Sequence, residues 1–258
     1  MAETIAVLSL KGGTGKTTAV RTLADVFRRI GLDVLALDLD PQGNLSDYFD
    51  VPPDASPTMA DVLSGEIKLP AAAHDGIVPA TPILADVERS LSGKMGRELV
   101  LRKALRDARK QHDLVLIDCP PALGLLTING LVAADWALIS SEAQYFALQG
   151  VEGALEVIEQ AKEFYNPDLE WLGVVLNIAD MRTTHSRHAL EQLREHFGEK
   201  VFDTVIRASI AYAESAEKAV SIIDYRPDLA ADYLALADEI LERVGLRDVR
   251  RKLKPLLA

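Results

Sequence analysis

The sequence predicts an α/β fold, a doubly wound and mostly parallel sheet flanked by helices, on three observations. Short, nearly continuous apolar runs recur along the chain, amphipathic stretches separate them, and a glycine-rich loop joins the first run to the first amphipathic stretch. Strands covered on both faces lack polar alternate positions, which is why they read as unbroken apolar runs. Such an alternation places ligands beyond the carboxyl ends of the strands.

The first run, "TIAVLSL" (residues 4–10), leads through "KGGTGK" into an amphipathic stretch at 16–30, and "DVLALDLD" (33–40) forms the second run. Two segments, "VPPDASP" (51–57) and "PAAAHDGIVPATP" (70–82), carry the prolines and small polar residues of surface connections. A helical pattern at 97–111 precedes "DLVLIDC" (113–119), and "WALISS" (136–141) precedes a second helical pattern at 149–165. "WLGVVLNIA" (171–179), a helix at 186–197, a late strand leading into "IRAS" (206–209) and a helix at 229–244 complete the series. No linker or internal repeat interrupts it, so residues 1–258 read as a single domain with a basic tail at about 243–258.

Composition narrows the setting. With 258 residues and 48% hydrophobic side chains the chain can bury a large core. No basic-then-apolar leader opens it, and no apolar run reaches the roughly 18 residues of a membrane span; the expected location is the cytosol. The single cysteine, Cys119, excludes an intrachain disulfide and reads as a buried small side chain. Net charge is −11, which disfavours phosphate-rich partners on average. From Arg243 to the end, however, six basic residues face one acid, Asp248, so the tail carries +5 and the rest −16.

The glycine loop lies where a phosphate cradle belongs, after a strand and before a helix. Gly12, Gly13 and Gly15, with Thr14 between them, let backbone N–H groups turn inward, and the helix N-terminus adds a favourable dipole. Lys16 reaches the β- and γ-phosphates in this reading and Thr17 offers its hydroxyl to Mg²⁺. The full P-loop pattern would place its first glycine at Leu10 or Ser9, so this loop departs from it. Asp38 and Asp40 end the second run and Asp118 a later one. Each alone reads as a strand-capping acid. Together with the loop they put carboxylates at the sheet edge that holds a phosphate and its Mg²⁺.

"KGGTGKTT", "DLDPQGN" and "DCPPALGLLTING" resemble the deviant Walker A, Walker A′ and Walker B motifs of the ParA/MinD ATPases, most of all the chromosomal ParA (Soj-type) branch. The stretches 145–177 and 194–206 extend the likeness over nearly the whole chain, and Gln42-Gly43-Asn44 is ParA-like. The resemblance implies ATP and Mg²⁺ as cofactors. It implies that the second lysine of the loop, Lys11, crosses a homodimer interface to the phosphates held by the partner subunit. Asp40 would then position the attacking water, Asp38 support the Mg²⁺ region, Asp118 hold an Mg²⁺-bound water, and Thr18 contact the α-phosphate. Residues 121–124 look like the segment that rearranges with the γ-phosphate.

Asn177 fits the family's adenine contact, whereas "IRAS" departs from its usual Ile-Pro-Arg-Asn. Arg207 there either stacks on the base, binds a phosphate or points to solvent. Ala208 and Ala211 stand where the family often carries cations used on DNA. His185 and His188 lie three apart without a nearby acid, a weak metal signature, and Trp136 and Trp171 read as packing residues.

Two function classes remain open on this reading. One is a slow partition ATPase, nucleoid-associated, whose ATP dimer binds DNA non-specifically and whose hydrolysis a ParB-like centromere-binding protein stimulates; the tail and Lys200, Arg207 and Lys218 would supply the phosphate contacts. A relative that positions a protein cargo shares its biochemistry. The other is a MinD-like membrane-associated ATPase, with Leu246, Val249, Leu253 and Leu256 or Leu257 as the apolar face of an interfacial helix that Pro255 ends early.

Overall fold

The structure, a computed structural model, describes residues 1–144 and 146–257, the side chains of Lys254, Pro255 and Leu257 excepted. Within it, β1 (Glu3–Leu8), β2 (Val34–Asp38), β3 (Ile77–Val78), β4 (Leu114–Asp118), β5 (Trp136–Glu142), β6 (Glu170–Ala179) and β7 (Val201–Arg207) form one sheet. Its order is β3-β2-β4-β1-β5-β6-β7, and every pairing is parallel. Strands β1, β2 and β4 are buried along nearly their whole length, which explains their unbroken apolar sequences. In the β2–β4 register Asp38 stands directly beside Asp118, so two acids far apart in sequence end neighbouring strands.

Helices cover both faces. One apolar layer joins the sheet to α1 (Lys16–Arg29), α2 (Asn44–Tyr48), α9 (Ala211–Glu217), α10 (Ile222–Tyr225), α11 (Pro227–Arg243) and α12 (Arg247–Leu257). The other joins it to α3 (Met59–Ser64), α4 (Ile83–Leu91), α5 (Val100–Ala108), α6 (Leu125–Ala133), α7 (Ala147–Phe164) and α8 (Thr184–Phe197). None of these helices is long and apolar enough to cross a membrane.

Three features differ from the sequence reading. The stretch 70–82 holds the two-residue edge strand β3, too short between Gly76 and Pro79 to leave a pattern. Helix α6, "LLTINGLVA", carries no amphipathic period because it is buried almost all round. The tail helix α12 runs past Pro255, which has no N–H to donate, and two helical residues follow it.

The tail is also less free than its charge suggests. Leu253 is fully buried, Leu246 and Val249 pack against the same layer, and Arg250 pairs with Asp238 at 2.7 Å and Glu242 at 2.9 Å on α11. Arg243 donates to the carbonyls of Leu172, Lys200 and Val201 and stacks on the Phe202 ring, 3.8 Å from its centroid. Arg247, Arg251 and Lys252 remain exposed, while Lys254 and Leu257 fall outside the described side chains. Lys200 and Lys218 likewise have intramolecular acceptors, the Trp171 carbonyl and the Tyr225 hydroxyl.

Candidate functional site

Beyond the carboxyl ends of β1, β2 and β4 lies a cavity of about 730 Å³, at the point where the strand order turns outward on either side of β1. Its floor is the loop between β1 and α1. Gly13 and Gly15 have φ of 78° and 79°, and a Cβ on Gly15 would stand 2.5 Å from Nδ2 of Asn177, so conformation and space both demand glycine there. Gly12 and Gly13 have open space where a Cβ would be. Helix α1 opens with Lys16, Thr17 and Thr18 and has no acid in its first turn, leaving its positive end available to an anion. All of Gly12 to Thr18 line the cavity.

The acids at its edge are fixed by specific donors. Thr17 donates its hydroxyl to Oδ2 of Asp118 at 2.7 Å, while Oδ1 of Asp118 is buried without a hydrogen-bond partner among the described residues. Asp38 accepts from the Asp40 N–H at 3.0 Å through Oδ1, and from the N–H (3.0 Å) and hydroxyl (2.7 Å) of Ser46 through Oδ2. Both carboxyls are pushed above the usual carboxylate range, chiefly by burial; the negative neighbours add to this, and Lys16 opposes it for Asp118. A cation beside them relieves that penalty. The hard oxygen donors of Thr17 and Asp118, with one carboxylate oxygen unpartnered, fit Mg²⁺, whereas the Asp38 oxygens already accept three bonds from protein donors. Asp40 lines the cavity, with Oδ1 held by the N–H of Gln42 at 3.0 Å.

Asn177 reaches the cavity from β6, but its amide also braces the loop. Its Nδ2 lies 3.5 Å from the Gly15 carbonyl and 3.3 Å from Oγ of Ser140, which itself donates to the Thr14 carbonyl at 2.8 Å. Ile178 follows with φ of 53°, a left-handed conformation that a β-branched residue rarely adopts, and its N–H is bound by Oδ1 of Asn177. Tyr48, Tyr212 and Tyr233 give the cavity an aromatic wall, Tyr212 edge-on to Tyr233 at 5.9 Å. Neither this wall nor Ser46 and Ser140 carries a local motif, and sequence reading missed them.

Among the expected site residues, Asp38 and Asp118 lie outside the cavity lining, Asp118 being joined to it through Thr17, and so do Arg207 and Lys11, the latter as a residue expected to reach a facing subunit would. Arg207, for which the sequence leaves base, phosphate and solvent all open, does not line the cavity: it pairs with Asp232 at 2.9 Å and donates to the Asp228 carbonyl, which turns the guanidinium onto α11. Lys11 also lies outside the cavity lining. It is exposed, with Nζ 5.4 Å from the centroid of the half-exposed Phe146, beside a small hollow that Ser9, Leu10 and Glu142 help to line. His185 and His188 are exposed, and among the described residues there is no group of three or more His, Cys, Asp or Glu that could hold a metal ion.

The comparisons with known proteins bear on this geometry. The sequence profile of the "AAA domain" family matches residues 2–171. The chain is 40% identical over 246 residues to the chromosome-partitioning ATPase Soj of Thermus thermophilus, covering 93% of this chain and 96% of that one. It is 35% identical over 249 residues to the sporulation initiation inhibitor protein Soj of Bacillus subtilis, covering 93% and 98%. Among solved structures, cobyrinic acid a,c-diamide synthase from Mycobacterium smegmatis with bound ADP and magnesium superposes with a TM-score of 0.77 at 35% identity, over 84% of this chain and 92% of that one. With a deviant P-loop at the switch point, two neighbouring strand-tip acids beside it, and Soj relatives matched over 93% of its length, the chain belongs to the Soj/ParA family of P-loop ATPases.

Proposed function

We propose that this chain is an ATPase of DNA partition that closes into a homodimer around ATP and Mg²⁺. The observation that carries the reading is a division of labour between the two loop lysines: Lys16 is buried within the cavity, whereas Lys11 stands exposed outside it, beside the half-exposed Phe146. A cation placed outside its own site, beside an apolar ring left open to solvent, suits contact with the phosphates of a facing subunit. The mycobacterial synthase seen with ADP and magnesium, and the same protein with an ATP analogue, support the choice of cofactors.

In this reading the loop amides and the α1 N-terminus hold the phosphates and Lys16 neutralises them. Thr17 and Asp118 hold Mg²⁺, which when bound supplies charge neutralisation on the phosphate oxygens. Asp40 orients the attacking water, and Asn177 and the tyrosine wall receive the base. The chromosome-partitioning relative supports a partition setting; non-specific DNA and a ParB-like protein as partners, and a cytoplasmic, nucleoid-associated location, belong to the same proposal, and a plasmid or protein cargo in place of the chromosome leaves the chemistry unchanged.

Light scattering tests the reading. The wild type is expected to be monomeric without nucleotide or with ADP and dimeric with ATP and Mg²⁺, and Lys11→Ala to keep nucleotide binding while losing the dimer. A wild-type dimer that formed regardless of nucleotide would refute it.

A further inference from the structure

We propose that Glu88, on α4, is a positioning residue for ATP hydrolysis, acting by fixing the loop between Asp118 and α6. The proposal rests on the ATPase reading above. That loop, 119–124, begins next to the acid bonded to Thr17 and places Pro121 in the cavity wall. Its two prolines lack N–H groups. Among the described residues, one hydrogen bond reaches the stretch 120–126 from outside the loop and α6: the N–H of Leu126 donates to Oε1 of Glu88 at 3.2 Å. Within the stretch, Thr127 donates its hydroxyl to the Ala122 carbonyl at 2.6 Å. The loop is therefore pinned in its middle by α6 and at its end by α4.

Two independent features point to this contact. Helix α6 starts after Gly124, which has no side chain to cap the open N–H groups of the first turn, and Glu88 supplies the missing acceptor and a negative charge at the positive helix end. Gly124 itself has φ −88° and ψ −169°, extended backbone that any residue adopts, so conformation does not explain the glycine. Space does: a Cβ at 124 would lie 2.9 Å from Oε1 of Glu88. Glycine leaves the carboxylate its seat. Leu84 and Leu91, buried in the core on the same helix, hold α4 in place and make Glu88 a fixed rather than a wandering cap.

Steady-state ATP hydrolysis and amide hydrogen exchange test the assignment on Glu88→Ala, Glu88→Gln, Gly124→Ala and the double variant Glu88→Ala/Gly124→Ala. Because a misplacement of about 1 Å in a catalytic segment lowers rates up to about a hundredfold, Glu88→Ala and Gly124→Ala are each expected to lower kcat at least about tenfold with KM within about twofold. Glu88→Gln keeps the acceptor and is expected to stay within about threefold of the wild type. The double variant is expected to be no slower than the slower single one, since both remove one contact. Exchange at 125–127 should quicken while α1 stays protected, a local signature that general destabilisation would not give. An unchanged kcat in Glu88→Ala, or losses that multiply in the double variant, would overturn the role of Glu88 and leave the ATPase reading standing. A wild type without ATP turnover would overturn that reading itself.

Discussion

Replacing Asp40 by alanine is expected to lower ATP turnover by about 10²- to 10⁴-fold, the range a positioned acid–base group supplies, with nucleotide affinity changed only a few-fold. The separation of effects follows from how the acids are held. Asp38 takes its bond from the backbone N–H of Asp40, which alanine retains, and its other two bonds from Ser46. Thr17, Asp118 and Lys16 do not contact the Asp40 side chain through any hydrogen bond, so the phosphate cradle and the Mg²⁺ ligands survive. What disappears is the carboxylate facing the cavity and its bond from the N–H of Gln42. Binding without turnover should accumulate the ATP-bound dimer. Light scattering should then show twice the monomer mass, and the trapped form should co-sediment with random-sequence DNA at about 50 mM salt and release it by about 200 mM, as counterion release requires. Wild-type turnover in Asp40→Ala would remove Asp40 from the mechanism.

What the sequence disclosed and what it concealed divide by distance along the chain. The glycine loop is legible because the requirement for φ above zero and for a bare backbone sits within a few residues, Gly12 to Gly15. Asp38 and Asp118 are legible because each ends an apolar run, although only the register of β2 against β4 makes them neighbours. The supports are not legible: Ser140 meets Thr14 across 126 positions, Glu88 meets Leu126 across 38, and no local pattern announces either. The position of Arg207 is not legible for the same reason. Its partner Asp232 is 25 residues on, on a helix face that only folding brings alongside, so an arginine beside a base motif reads as a ligand contact until the ion pair is seen. The +5 charge of the tail is likewise only partly available to a partner, since Arg243 and Arg250 are held by the body of the protein.

Leu253→Ala is expected to destabilise the protein by about 2–5 kcal/mol, as for other fully buried leucines, and this decides whether α12 is a clasp or a membrane anchor. An interfacial helix needs its apolar face available to lipid. Here Leu253 is completely buried against the layer that contains α1 and α11, Leu246 and Val249 pack on the same layer, and Arg250 is paired to α11. Inserting α12 into a bilayer would first forfeit the burial of Leu253, although Leu256 is half-exposed and Leu246 and Val249 are only partly buried. Deleting the whole tail would confound the issue, because it strips the same core seat. Single substitutions do not. Denaturant unfolding of Leu253→Ala should show the lost stability as a lower midpoint with an unchanged slope, and neither it nor the wild type should sediment with anionic vesicles at about 150 mM salt, where residual electrostatic attraction is screened beyond about 8 Å. Arg247→Gln with Lys252→Gln should leave stability within about 0.5 kcal/mol, as surface changes do, while weakening any attachment to DNA. Vesicle binding by the wild type that Leu253→Ala abolishes without loss of stability would make α12 an anchor and restore the MinD-like reading.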